Sequence, residues 1–302
     1  MSFKDEYAKF KQPSQARENF VYNAITSLPK EQILKSMKPI TVKKPDGSEV
    51  TYKVMTDYVS IDGFRVPMSG QTAQRVADHF GLSLPSSTQT KEIYDNSVKI
   101  PAKPLSGSGT TVDGKNYSGN DVVNTGVGYA PFAVTYNDKI NKQLEESGAK
   151  PGDIVSGFAK DIVAPPTNGW HGKPGESSVG ALGLHGFYDA NGKPIQGGSG
   201  QTPHDTSVHS EYGAFARFVT PYEIKKYPDG KVEKKQNNYG RYTVEDSGLN
   251  KKVDMPDINP SGQGANKPLP ASKQYTPPAP QSGRNLVLER AMNIIDDIAK
   301  KL

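Results

Sequence analysis

Apolar positions along this chain follow two different periods, and the change from one to the other divides it. Over residues 1–38, Phe20, Val21, Ala24, Ile25 and Leu28 recur at helical spacing and make a single apolar stripe. Pro13 and Pro29 interrupt that stretch. It therefore predicts short helices packed on a domain through one face, or an arm that grips a neighbouring subunit. From Ile40 the period shortens to two. Ile40-Thr41-Val42 and Val50-Thr51-Tyr52-Lys53-Val54 flank Pro45-Asp46-Gly47, a turn sequence that predicts a hairpin. Similar turns at Asp113-Gly114, Asn191-Gly192 and Asp229-Gly230 predict further antiparallel pairing.

Ser69 caps a segment in which Ala73, Val76, Ala77 and Phe80 share one helical face, and Gly81 ends it. A second short helix is expected from about Thr88 to Asn96, and a third from Lys139 to Gly148. Residues 101–130, rich in Gly, Ser, Asn and Pro, read as loop. Strands are expected at Asp153–Phe158, Asp161–Ala164, Gly180–Phe187 and Ala214–Val219. The alternating lysines of the hairpin Tyr222–Lys235 read as a solvated face rather than a binding patch.

Toward the C-terminus Pro256, Pro260, Pro268, Pro270, Pro277, Pro278 and Pro280 favour extended chain. Beyond them Leu288, Ala291, Ile295, Ile298 and Leu302 form a narrow helical seam. An isolated helix this short is marginal in water, so it is expected to dock on its own domain or on a partner. The expected organisation is an N-terminal helical arm over 1–38, an α+β domain over 39–250, a proline-rich linker over 251–283 and a C-terminal docking helix over 284–302. The domain would be mainly antiparallel sheet with a few helices.

Composition narrows the function classes. The hydrophobic fraction is 34%, with 30 glycines and 24 prolines among 302 residues, so long connections accompany the core. The net charge of +5 is spread along the chain without arginine clusters, which argues against nucleic acid and leaves weak attraction to an anionic polymer such as a cell wall. With no cysteine, disulfides, cysteine–zinc sites and cysteine nucleophiles are excluded. No stretch predicts a membrane span. Met1 to Tyr7 lack the apolar core of a secretory signal, so work outside a cell would need another route, such as carriage in a virus particle.

Candidate chemistry concentrates where the histidines do. Four of five, His171, His185, His204 and His209, fall in one loop-like stretch with Asp161, Glu176, Asp189, Asp205 and Glu211. Imidazole titrates near neutral pH and ligates metals. Three chemistries fit. His185, His204 and His209, with Asp161, Asp205 or Glu211, could hold a metal such as zinc and leave a position for water. Alternatively His185 or His209 with Asp161 or Glu211 could act as acid and base, with Arg217 holding an anionic group of the substrate. A serine nucleophile, Ser207 or Ser210, ranks last because no nucleophile elbow accompanies it. Against all three stands the plain alternative of loop histidines with no catalytic task. Trp170, the only tryptophan, could stack on a sugar ring or anchor its loop.

Blocks between Asp57 and Val219 resemble a family of poorly characterised bacterial proteins, many of them exported. They are Asp57-Tyr58-Val59-Ser60-Ile61, Arg65-Val66-Pro67-Met68, Thr72-Ala73-Gln74, Ala77-Asp78, Leu84-Pro85, Ile93-Tyr94 and Lys160-Asp161-Ile162-Val163. His185-Gly186-Phe187-Tyr188 leading to Gly192-Lys193-Pro194-Ile195-Gln196 is similar to that family's Tyr-Gly-Trp-His and Gly-x-Pro-Ile-Gln segments. Tyr212 to Arg217 resembles its Tyr-Ser-His-Gly-x-Arg segment, itself similar to a signature of wall-modifying transpeptidases without the cysteine. The resemblance implies a hydrolase acting on an envelope polymer. The chain departs from the pattern where Phe187-Tyr188 replaces Trp-His and Gly213-Ala214 replaces Ser-His, which implies the same scaffold with an altered or lost catalytic site.

Two functions follow as expectations. One is a hydrolase of peptidoglycan or a similar wall polymer, carried by a phage particle or delivered to the cell envelope. In it His185, His209, Asp161 and Glu211 would be catalytic, Arg217 and Trp170 would bind substrate, and His185, His204 and His209 would ligate metal. The other is a structural or interaction protein of a virion or similar assembly, with the same fold and a dead site, tethered to its partner through residues 284–302.

Overall fold

In a computed structural model of the chain, the described residues are 2–105, 110–118, 121–122, 125, 128–165, 182–195, 202–204 and 210–242. The expected linker and C-terminal docking helix lie outside them. Six helices occur among the described residues: α1 (Phe3–Lys9), α2 (Gln15–Thr26), α3 (Lys30–Lys35), α4 (Gly70–Phe80), α5 (Ser87–Asp95) and α6 (Ala130–Ser147). The strands are β1 (Met37–Lys43), β2 (Glu49–Met55), β3 (Ser60–Ile61), β4 (Phe64–Arg65), β5 (Val98–Lys99), β6 (Thr110–Val112), β7 (Lys115–Tyr117), β8 (Val155–Ser156), β9 (Lys160–Val163), β10 (Leu182–Gly186), β11 (Thr202–His204), β12 (Ala214–Phe215), β13 (Tyr222–Lys226) and β14 (Val232–Gln236). The architecture is α+β with mainly antiparallel sheet. One four-stranded sheet runs β1-β2-β13-β14 and another β11-β10-β9-β12. Among the described residues, parallel pairing is confined to β12 on β9 and β5 on β8. No helix among the described residues is long and apolar enough to cross a membrane.

The N-terminal helices are built into the domain. Tyr7, Val21, Ile25 and Ile33 belong to the same core as α4, α6 and the second sheet. Two buried charges fasten them. Arg17 donates to the Gly128 carbonyl at 2.6 Å, and the Glu18 carboxylate accepts from the Ser69 backbone amide at 2.9 Å. Glu18 thus places a negative charge at the N-terminus of α4, where the helix dipole favours it. Ser69 caps that helix through the Thr72 amide, and Gly81 closes it at φ +69°. Helix α6 begins well before the expected Lys139. Pro131 is tolerated in its first turn, and Phe132, Ala133, Tyr136 and Ile140 are its buried face.

The two main sheets are joined by residues 214–219. This segment leaves β12, passes its Ala216 carbonyl to the Val59 amide and its Phe218 carbonyl to the Met55 amide, and bridges Val54 and Ser83 through Val219. The expected single strand Ala214–Val219 is therefore a crossing between sheets, with only Ala214–Phe215 in regular pairing. A smaller cluster of Ile40, Val50, Tyr52, Val54, Ile93 and Val219 fills the space between the first sheet and α5.

Candidate functional site

The middle of the second sheet carries the candidate residues. On β9, Lys160 and Asp161 are neighbours in sequence and so point to opposite faces of the sheet. On β10, His185 stands directly opposite Asp161. After β10 the chain turns sharply. Gly186 has φ +101° and Phe187 φ +69°, a left-handed conformation that is uncommon for a bulky residue. A Cβ on Gly186 would stand 2.9 Å from the Ala159 carbonyl and 3.0 Å from Oδ2 of Asp161, so only glycine lets the Asp161 carboxylate lie against this turn.

Asp161 is 1% exposed and Arg217 0%. Nε of Arg217 lies 3.6 Å from Oδ1 of Asp161, too far for a hydrogen bond, and both atoms lack any other hydrogen-bond partner. The remaining guanidinium nitrogens donate to the backbone, to the Val155 carbonyl at 2.5 Å and the Met55 carbonyl at 3.5 Å. The guanidinium carbon also sits 4.3 Å from the centre of the Tyr58 ring. The Tyr58 hydroxyl is near enough to interact with the Asp161 charge, yet forms no well-shaped hydrogen bond. Burial lifts the Asp161 carboxyl to about 6, against the opposing pull of Arg217 and Tyr58.

His185 is 7% exposed. Its Nδ1 lies 3.5 Å from the Tyr188 hydroxyl, at the limit of a hydrogen bond, and Tyr188 stacks on Tyr94 with ring centres 3.9 Å apart. Burial, and secondarily the Lys91 charge, push the imidazole down to about 4, so it is neutral at physiological pH. On the opposite face of β9, the Lys160 ammonium donates to the Glu211 carboxylate and lies 5.4 Å from the centre of the Phe187 ring. Glu211 is 3% exposed.

Arg217, expected to bind substrate, is fully buried. Its donors hold the backbone of β2 and β8 together at the crossing between sheets, so it works as an internal clamp. Glu211 accepts a hydrogen bond from Lys160. Of the expected ligand set His185, His204 and His209, only His185 has a described side chain. His204 on β11 pairs with Leu182, three positions from His185 on β10. Among the described residues, no three His, Asp or Glu gather closely enough to hold a metal ion. Trp170, His171, His209, Asp205 and Ser207 lie outside the described residues, as does the side chain of His204.

Sequence reasoning overlooked Lys160, Tyr58 and Tyr94 as parts of this cluster. Lys160 had a readable signal: a charge inside the apolar run Phe158-Ala159-Lys160-Asp161-Ile162-Val163 must find a partner when the strand is buried. Tyr58 and Tyr94 had none, because only the tertiary fold brings them to β9 and β10. In comparisons with known proteins, no family model matches the chain, and neither does any curated protein or solved structure.

Proposed function

We propose that this chain is a non-catalytic structural or interaction protein, in which residues that resemble a hydrolase site have become internal fastenings. One observation carries the reading. Arg217, Asp161, Glu211 and His185 are 0, 1, 3 and 7% exposed, and Arg217 and Glu211 are engaged within the protein. A polymer-binding site needs polar groups presented to the substrate. In this reading the terminal segment 284–302 attaches the domain to an assembly partner. Purified full-length protein should then release no fragments from dye-labelled peptidoglycan, and deletion of 284–302 should abolish co-purification with its partner while far-UV circular dichroism stays unchanged.

A second reading, a wall-polymer hydrolase carried by a phage or delivered to the envelope, draws on a different observation. Asp161 combines a carboxyl raised to about 6 with an unpaired oxygen, on the strand beside His185 and next to a left-handed Phe187. Perturbed acids and strained backbone concentrate at catalytic sites. Release of peptidoglycan fragments by the wild type, lost in both Asp161→Asn and His185→Ala, would establish this reading and overturn the first. Loss on adding a chelator would further assign a metal to it.

A further inference from the structure

From the end of β14 the chain runs back to the second sheet as a short strap, residues 237–242. Its root is fixed to the first sheet. The Asn237 amide donates to the Pro221 carbonyl and the Asn237 Nδ2 to the Thr220 carbonyl, both at 2.8 Å. Further along, Tyr239 packs against the main core, and Arg241 forms a surface ion pair with Asp78 of α4. At the far end Tyr242 is 1% exposed, and its hydroxyl stands between β9 and β10. It accepts from the Gly183 amide at 2.8 Å and donates to the Val163 carbonyl at 2.7 Å.

Gly183 and Val163 are direct partners in the β9–β10 register, and Val163 is the last residue of β9. A side-chain hydroxyl therefore completes the terminal rung of this ladder. The rung is weak without it. Gly183 has no side chain to pack, and its neighbour on β11 is Pro203, which has no N–H to give. Two rungs further along β10, His185 stands opposite Asp161, and both are buried. The seam under the strap is itself incompletely satisfied: Oδ2 of Asp78 is buried without a hydrogen-bond partner, a desolvation cost that release of the strap recovers.

We propose that this strap is a latch on the second sheet. Docked, it closes the Val163–Gly183 end of the ladder through Tyr242. Released, it lets β9 and β10 part from that end and gives solvent access to the His185 imidazole. Local opening begins where a ladder has few buried contacts of its own, and this end is held by one side chain. The Arg241–Asp78 pair is the outermost fastening, and salt screens it, so the opening responds to ionic strength. The β13–β14 hairpin from which the strap leaves keeps its own pairing, so release needs no rearrangement of the first sheet. The inference holds whether or not His185 is catalytic, because it concerns access to that residue alone.

The test uses the full-length protein. Amide hydrogen exchange is followed residue by residue by NMR, and labelling of His185 by diethyl pyrocarbonate is followed by mass spectrometry. Tyr242→Phe keeps the ring and should speed exchange of the Gly183 amide by about tenfold or more, since it leaves that amide and the Val163 carbonyl unpaired. Arg241→Gln is the decisive variant, because among the described residues Arg241 reaches Asp78 on α4 and hydrogen-bonds neither β9 nor β10. It should speed exchange at Gly183, Leu184 and His185, and labelling of His185, by a common factor of about two to five, with the amides of β1 and β2 unchanged. Raising salt should do the same to the wild type and nothing further to Arg241→Gln. Gly183 exchange indifferent to Arg241→Gln, exchange rising equally in β1 and β2, or faster Gly183 exchange without faster His185 labelling would each overturn the proposal.

Discussion

The oppositely displaced Asp161 and His185 make a sharp prediction about stability and pH. Asp161 moves from its ordinary 3.8 to about 6, so the folded state holds its proton more tightly than the unfolded chain does. Its contribution is therefore fully present below pH 4 and is lost as pH rises through 6. His185 moves from 6.5 to about 4, so the folded state resists protonation. Its contribution is fully present above pH 6.5 and is lost as pH falls through 4. At 1.36 kcal/mol per decade each displacement is worth about 3 kcal/mol. The two effects oppose each other across one window and nearly cancel in the wild type. Single variants should expose them. Relative to wild type between pH 4 and 7, His185→Gln should lose about 3 kcal/mol as pH rises, and Asp161→Asn should gain about 3 kcal/mol. Urea unfolding followed by far-UV circular dichroism at half-unit pH steps measures both slopes, and carboxylates common to all three proteins drop out of the differences. Profiles of both variants running parallel to wild type would refute the assigned environments of these two side chains.

Three further outcomes test the packing. Lys160→Met should cost about 3–5 kcal/mol by leaving Glu211 as a buried charge without its ammonium, and adding Glu211→Gln should restore a large part, as read from urea midpoints. Gly157→Ala should destabilise by roughly 2–4 kcal/mol, because φ is +105° and the new Cβ would meet the Ile100 carbonyl at 2.6 Å; calorimetry checks it. Ser69→Ala should cost about 1 kcal/mol of thermal stability by uncapping α4.

The local part of the fold was legible because its causes are local. Ser69 and Gly81 bound α4 as expected, and Pro45-Asp46-Gly47 and Asp229-Gly230 turn the hairpins that build the first sheet. The start of α6 was hidden because Tyr129 offers no side-chain cap and the loop-like composition runs up to it. The candidate site was legible only as a region. Asp161 and His185 do stand side by side, but the role of Arg217 depends on Met55, Tyr58 and Val155, which are distant in sequence. The pairing of His204 with Leu182 depends on strand register, and that is set by how the chain after β10 returns to the sheet. Neither fact has a signature in residue spacing.

A physical reason for burying so much charge in the second sheet follows from the order of residues on β9. Lys160 and Asp161 are adjacent and opposite in sign, and they face Glu211 and Arg217 on opposite sides. A slip of β9 by one residue would exchange the two faces. In one direction it sets the Lys160 ammonium beside the Arg217 guanidinium, in the other the Asp161 carboxylate beside Glu211, a like-charge contact away from water in either case. Buried ion pairs contribute little net stability against an apolar core of the same shape, because desolvation offsets their attraction. Their effect here falls on the alternatives: either one-residue slip carries a repulsion that the native register lacks and leaves the other charge of β9 without its partner. An apolar Phe158–Val163 strand would pair almost as well one residue out of step. The alternating charges, with Gly186 shaped to admit the carboxylate, favour one arrangement of β9 over its one-residue slips.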